Sequence, residues 1–238
     1  MSSAIRATDW RTATVAAISP ETPRAATLTL DVPGWNGHRA GQHVDVRLTA
    51  DDGYRAQRSY SIASAPEDQR LMITVEELED GEVSPWMVEV AGEGDEFEVR
   101  GPFGGWFVWD ATDTTPIMLI AGGSGLVPLM SMLRHRRNAG SEVPAKLLVS
   151  ARESDDVLYA RELEKLGVDV TLTYTRRAPA GWTGYTRRVD RDMLQEVALR
   201  GGRTYICGPT AFVETVANHL VALGEAPANI RTERFGGG

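Results

Sequence analysis

The first hundred residues alternate with a period of two. Leu28, Leu30 and Val32 are interleaved with Thr29 and Asp31, Val44, Val46 and Leu48 with Asp45 and Arg47, and Phe97 and Val99 with Glu96 and Glu98. Successive strand side chains point to opposite faces, so these segments predict strands with one buried and one wet face. Three further runs, TATVAAI at 12–18, RSYSI at 58–62 and RLMITVEEL at 70–78, bring the number to six. Short strands separated by Pro, Gly and Asp turns predict a closed or nearly closed antiparallel Greek-key barrel, with no helix beyond a couple of turns.

From about residue 110 the period changes. Strand-like runs IMLIAG (117–122), AKLLVSA (145–151), VDVTLTYT (168–175), RTYICG (203–208) and NIRTERF (229–235) alternate with helical periodicity at 127–138, 156–166, 190–199 and 211–223. That alternation predicts right-handed crossovers and a doubly wound, parallel five-stranded sheet covered on both faces. The polar, threonine-rich WDATDTTP at 109–116 separates the two patterns, dividing the chain into a barrel domain, 1–109, and an α/β domain, 110–238. Residues 116–133 carry no charge and approach the length of a short membrane span, roughly 17 residues. Three glycines and Pro128 interrupt their centre, which predicts strand, turn and helix instead.

Composition narrows the function. A chain of 238 residues with a formal charge of −8 is long enough to bury a real core. It lacks the basic balance that displaces counterions from nucleic acid, so no nucleic-acid partner is expected. The single cysteine, Cys207, excludes an internal disulfide and any all-cysteine zinc or iron–sulfur site, and fits a reducing, cytoplasmic setting. The opening MSSAIRATDWRT has no apolar core behind a basic head, so no signal peptide is expected. His38, His43, His135 and His219 show no metal-ligand spacing, and no metal is expected. RHRR at 134–137 ends a predicted helix, where cations complement the dipole, with docking of an acidic partner as the second reading. The glycines at 236–238 read as a frayed end.

In a doubly wound sheet, ligands sit beyond the carboxyl ends of the strands. AGGSGLVP at 121–128 occupies such an end: its glycines allow close backbone approach to a pyrophosphate, and the following helix N-terminus favours negative charge. Taken alone, a tight structural turn explains those glycines equally well, and Pro128 stands where the usual dinucleotide fingerprint has a third glycine. ICGP at 206–209 is a second such end, where Cys207 reads either as a small buried residue or as a group that positions a flat ring.

Together, RSYS (58–61), GEVS (81–84), GPFGG (101–105), GGSGLVP (122–128), YICGP (205–209) and ERF (233–235) resemble, in order and spacing, the ferredoxin–NADP reductase-like flavoproteins. The resemblance covers almost the whole chain and implies an N-terminal flavin barrel and a C-terminal nicotinamide-nucleotide domain. It implies that Arg58 pairs with the flavin pyrophosphate, that Tyr60 lies along the isoalloxazine and ribityl chain, and that Ser61 bonds near the flavin N5. Gly81 and Ser84 match the second flavin motif, and Ser59, Thr74, Val75 and Val83 flank these positions at the cofactor. His43 is placed against the flavin. Phe235 matches the terminal aromatic covering the other flavin face, with Glu233 as a proton relay, although three glycines follow the ring here.

For the second domain the resemblance assigns Gly123, Ser124, Gly125 and Pro128 to the nicotinamide-nucleotide pyrophosphate, and Cys207, Gly208 and Pro209 to the nicotinamide end. Ser124 replaces the threonine commoner in the family. Arg152, Arg176, Arg177, Arg187 and Arg188 follow the second and third strands of the domain, as in members that use NADPH, with NADH as the alternative. The implied activity is an FAD-dependent reductase taking hydride from NADPH. Its electrons go to a separate acceptor, a ferredoxin or an oxygenase component, and the protein is expected to be a monomer. Two rivals stand beside it: a flavin reductase that releases flavin as a product, and a non-catalytic flavin or nucleotide sensor.

Overall fold

The computed structural model describes residues 6–236; the first five residues, which open the stretch read for a leader, and the last two of the terminal glycines lie outside them. Six strands form the first half: β1 Arg11–Thr22, β2 Ala25–Asp31, β3 His43–Thr49, β4 Arg55–Ser61, β5 Leu71–Glu76 and β6 Glu96–Phe103. They pair antiparallel in the order β4-β3-β6-β1-β2-β5, with β6 inserted between β3 and β1 as a Greek key requires. The end strands β4 and β5 meet at one bridge, Ile62 to Ile73, where Ala63 N–H also donates to the Met72 carbonyl at 2.7 Å. The inward set is the one the alternation picked out: Leu28, Leu30, Val44, Val46 and Val99 are fully buried around Ile62 and Ile73. β1 extends past the expected 12–18 by shifting register on either side of its middle, the second time beside Pro20. Before β6 the chain makes one wide turn, Trp86–Val90, closed by Ala91 N–H to the Trp86 carbonyl.

Five parallel strands form the second half: β7 Ile117–Gly122, β8 Ala145–Glu153, β9 Asp169–Arg177, β10 Arg203–Pro209 and β11 Ile230–Phe235, in the order β11-β10-β7-β8-β9. Helices α1 Leu126–Asn138 and α2 Ala160–Leu163 cover one face, and α3 Arg191–Val197 and α4 Thr210–Ala222 the other. Every residue of β7 is buried, as a strand covered on both faces must be. The apolar stretch at 116–133 is this strand, a tight turn and α1. Among the described residues no helix is long and apolar enough to cross a membrane.

One predicted helix is much shorter than its pattern. The period at 156–166 yields only the four residues of α2, because Val157 is extended and Tyr159 takes a left-handed φ of 54°. Val157, Leu158 and Tyr159 are instead buried in the core shared by the two halves. Ala25, Ala40, Ala63, Phe107 and Trp109 from the first half enter the same core.

Polar ties fix the two sheets together. Ser131 Oγ donates to the Ser64 carbonyl at 2.6 Å, Tyr205 OH and Arg231 Nη1 donate to the Val108 carbonyl at 3.0 and 2.7 Å, and Tyr159 OH donates to Thr74 Oγ1. Arg134 Nη1 donates to the Ala63 carbonyl at 2.7 Å while its other nitrogens hold Glu162. His135 lies 2.6 Å from Glu67. Arg136 Nε donates to the Val143 carbonyl. Arg134 and His135 therefore reach across the boundary, whereas Arg137 is exposed, 3.6 Å from Glu162.

Candidate functional site: a cleft between the two sheets

β7 and β10 are neighbours, yet the chain leaves β7 toward β8 on one side and reaches β10 from β9 across the sheet, which makes their carboxyl ends the switch point of the fold. The backbone there is packed as closely as glycine permits. A Cβ at Gly125 would stand 2.1 Å from the Cys207 carbonyl oxygen, and Gly123 adopts a φ of +55° that favours glycine. Pro128 is the third residue of α1, where a missing N–H breaks no helical bond. The turn thus brings the start of α1 to the strand ends, with the Phe212 ring against Gly122 and Gly208 beside it.

Four of the expected residues converge opposite this turn. His43 pairs with Ser61 across β3 and β4, and Cys207 pairs with Glu233 across β10 and β11. Between the two sheets, His43 Nδ1 stands 3.6 Å from Glu233 Oε1. Burial pushes the Glu233 carboxyl up to about 7 and lowers His43, an effect that Asp45 partly offsets. The Cys207 thiol is pushed well up, by burial first and then by the Glu233 charge, so it is a neutral packing group and not a thiolate nucleophile. Phe235 pairs with Pro209 at the very ends of β11 and β10 and is 37% exposed.

The flavin motifs line the seam beside the Ile62–Ile73 bridge. Tyr60 and Arg58 share one face of β4, Tyr60 packed on the barrel core with its phenol pushed up to about 12 by burial, Arg58 exposed. Val75 and Val83 are buried in the barrel core. Ser84 is buried with its Oγ accepting from Leu78 N–H at 3.0 Å, and a Cβ at Gly81 would come within 2.7 Å of that oxygen. A cation, a flat aromatic wall and a glycine–hydroxyl turn are the groups that a nucleotide with a ring and phosphates requires, so the residues present fit a flavin.

Other expected residues are turned elsewhere. Ser59 donates to the buried Asp45 at 2.6 Å, on the opposite face from Arg58 and Tyr60. The Thr74 hydroxyl is engaged by Thr27 and Tyr159. Arg187 is paired with Asp190 at 2.5 Å, and Arg177 with Glu153. Arg152 and Ser124 line a cavity of about 250 Å³ between the sheets, together with Arg24, Glu76 and Asp156. Arg176 is exposed at the end of β9, and Gly208 is buried where β10 ends.

Several residues at the cleft carry no motif signal. The Phe212 ring lies against Gly122 and Gly208, where a Cβ on either would stand 2.8 Å from it. Its only sequence clue is an aromatic in the first turn after ICGP. Glu82, the second residue of GEVS, holds Arg58 at 2.9 Å. Tyr159 is visible in sequence only as part of a helical period.

A barrel carrying an arginine beside a glycine–hydroxyl turn, facing the switch point of a doubly wound sheet, defines a two-domain flavin and nicotinamide-nucleotide oxidoreductase. The oxidoreductase FAD-binding domain model matches residues 13–108, and the oxidoreductase NAD-binding domain model matches residues 119–218. The chain belongs to the ferredoxin–NADP reductase-like flavoproteins. It is 28% identical over 199 residues to the toluate 1,2-dioxygenase electron transfer component of Pseudomonas putida, covering 82% of this chain and 58% of that protein. It is 31% identical over 208 residues to the glycine betaine monooxygenase reductase subunit of Chromohalobacter salexigens, covering 83% and 56%. The chain therefore spans less than two thirds of the length of these relatives. In fold it superimposes with a TM-score of 0.86 on the FAD/NAD-binding domain of nitric oxide dioxygenase from Vibrio cholerae, at 24% identity, covering 95% of this chain and 99% of that one.

Proposed function

We propose that this chain is an FAD-dependent reductase that takes hydride from NADPH and passes the electrons to a separate acceptor, a ferredoxin or an oxygenase component. The reading is supported above all by the 3.6 Å approach of His43, beside Ser61 on the barrel, to Glu233, beside Cys207 on the parallel sheet. Bound flavin supplies the chemistry, accepting a hydride and releasing electrons singly. The chain supplies orientation and protons. Arg58 and the Gly81–Ser84 turn hold phosphate, Tyr60 supports the ring, and Ser61 donates at its edge. The turn at Gly123, Ser124 and Gly125 and the α1 N-terminus hold the nucleotide pyrophosphate, and Cys207, Gly208 and Pro209 leave room for a flat nicotinamide. Glu233 keeps a proton near neutrality and can exchange it toward His43. Phe235 covers the cleft. The choice of acceptor is supported by the relatives, which are named as electron transfer and reductase components of oxygenases. The same reading takes 1–109 and 110–238 as the functional units, in a cytoplasmic monomer.

NADH is the second reading, favoured by the carboxylates that already hold Arg177 and Arg187 and by Glu76 and Asp156 beside Arg152. Stopped-flow reduction of the FAD-loaded protein by each nucleotide decides between them. Replacing both Arg152 and Arg176 with Ala is expected to slow reduction by NADPH at least about tenfold more than reduction by NADH. Equal losses would mean that these arginines do not read a 2′-phosphate. Absence of any reduction by either nucleotide would remove the enzymatic reading altogether.

A further inference from the structure

We infer that Glu82 is an internal anion that competes with the flavin phosphates for Arg58, and so sets how firmly this chain retains its flavin. The inference rests on the reading of Arg58 as the phosphate anchor. Arg58 Nη2 donates to Glu82 Oε2 at 2.9 Å, and Nη1 donates to the Gln57 carbonyl at 2.7 Å. The second Glu82 oxygen accepts from Tyr54 OH at 2.6 Å. The hydrogen bond from Tyr54, then the Arg58 charge, hold the Glu82 carboxyl below its ordinary range, so the competitor is an anion throughout neutral pH.

A guanidinium offers five coplanar N–H groups along its edges. A carboxylate and a phosphate are its two best partners, and they match the same pairs of N–H groups. Glu82 occupies an Nη2 donor of Arg58, so flavin phosphates reaching for that edge of the guanidinium compete with it, and a carboxylate left beside them repels their charge. The exchange is feasible because the pair is loosely held. Arg58 and Glu82 side chains are 53% and 46% exposed, a setting in which solvent screens most of the attraction. Glu82 and Tyr54 line a cavity of about 650 Å³ whose wall also carries Asp51, Glu96 and Glu98, so like charge discourages the carboxylate from leaving Arg58 for it. A fixed carboxylate at this position makes flavin binding weaker than the other groups would give, and places the cofactor nearer to exchange than a permanent prosthetic group.

The experiment is titration of flavin-free protein with FAD, followed by quenching of flavin fluorescence, for the parent, Glu82→Gln, Arg58→Ala and the double variant. Circular dichroism of each apoprotein checks that the fold is kept. Glu82→Gln is expected to lower the Kd for FAD roughly three- to tenfold, and Arg58→Ala to raise it at least about tenfold. In the Arg58→Ala background Glu82→Gln is expected to change the Kd much less, because the shared group is gone. Unchanged or weaker FAD binding by Glu82→Gln, with Arg58→Ala still impaired, would overturn the inference and leave Glu82 as a support for Arg58. Full FAD affinity in Arg58→Ala would instead overturn the anchor reading itself.

Discussion

Glu233 and His43 face each other across the sheets at 3.6 Å, and burial drives both toward neutrality. For the carboxyl this has a testable sign. Its folded value is about 7 against an ordinary 4.5, so between those two pH values the folded chain keeps a proton that the unfolded chain gives up. Stability from this group is fully present below about pH 4.5 and is lost as the pH rises through 7. Glutamine cannot ionise and escapes that loss. The melting temperature of flavin-free Glu233→Gln, relative to the parent, is expected to rise between pH 5 and pH 8, by an amount equivalent to at most about 2.5 kcal/mol, or roughly 5–10 °C in a chain of this size. A difference that stays level across that range would mean the carboxyl ionises as it does in water. Glu233 was readable from the ERF motif and His43 only as a histidine on a barrel strand, and their meeting was readable from neither. It depends on two registers, His43 with Ser61 and Cys207 with Glu233, that lie in different sheets.

Individual elements were legible in proportion to how local their causes are. All six barrel strands and all five parallel strands follow from alternation and from apolar runs ended by glycine or proline, because strand pattern reports burial directly. The helix expected at 156–166 failed for a non-local reason. Tyr159 N–H is taken by Glu21 and its hydroxyl by Thr74, both from the barrel, and Arg134 lies 4.8 Å over its ring. Those contacts hold a left-handed backbone that local propensity disfavours. The turn at Gly123–Gly125 is the reverse case, a local signal with a long-range reason. Gly125→Ala would put a methyl 2.1 Å from the Cys207 carbonyl oxygen, in backbone that cannot yield cheaply. The start of α1 would have to move away from β10. The expected result is a loss of about 1–3 kcal/mol in denaturant unfolding, together with weakened nucleotide binding measured by calorimetry. Unaltered nucleotide affinity in a destabilised variant would separate the packing role from the binding role.

At the scale of the whole molecule, hydride transfer between two sheets requires that their relative placement be fixed before either ligand arrives. Several contacts serve this, among them the Arg134 guanidinium, which reaches the Ala63 carbonyl of the barrel while both oxygens of Glu162 and the face of Tyr159 hold it from its own side. Its side chain is 10% exposed and that of Glu162 is 26% exposed. Removing the arginine leaves the Ala63 carbonyl without this donor and leaves Glu162 with Arg137 alone among the described residues, at 3.6 Å, which costs more than losing an exposed ion pair would. Arg134→Ala is expected to lower the melting temperature by roughly 5–10 °C, consistent with about 2–3 kcal/mol in a chain of this length. It should also split a single calorimetric transition into two, because the barrel and the parallel sheet each keep their own core while the tie between them weakens. Tyr159→Phe, which keeps the ring beneath Arg134 and removes only the hydroxyl to Thr74, is expected to shift the transition less and leave it single. If Arg134→Ala melts in one step at the parent temperature, the shared apolar core of Ala63, Trp109 and α1 holds the two sheets without it.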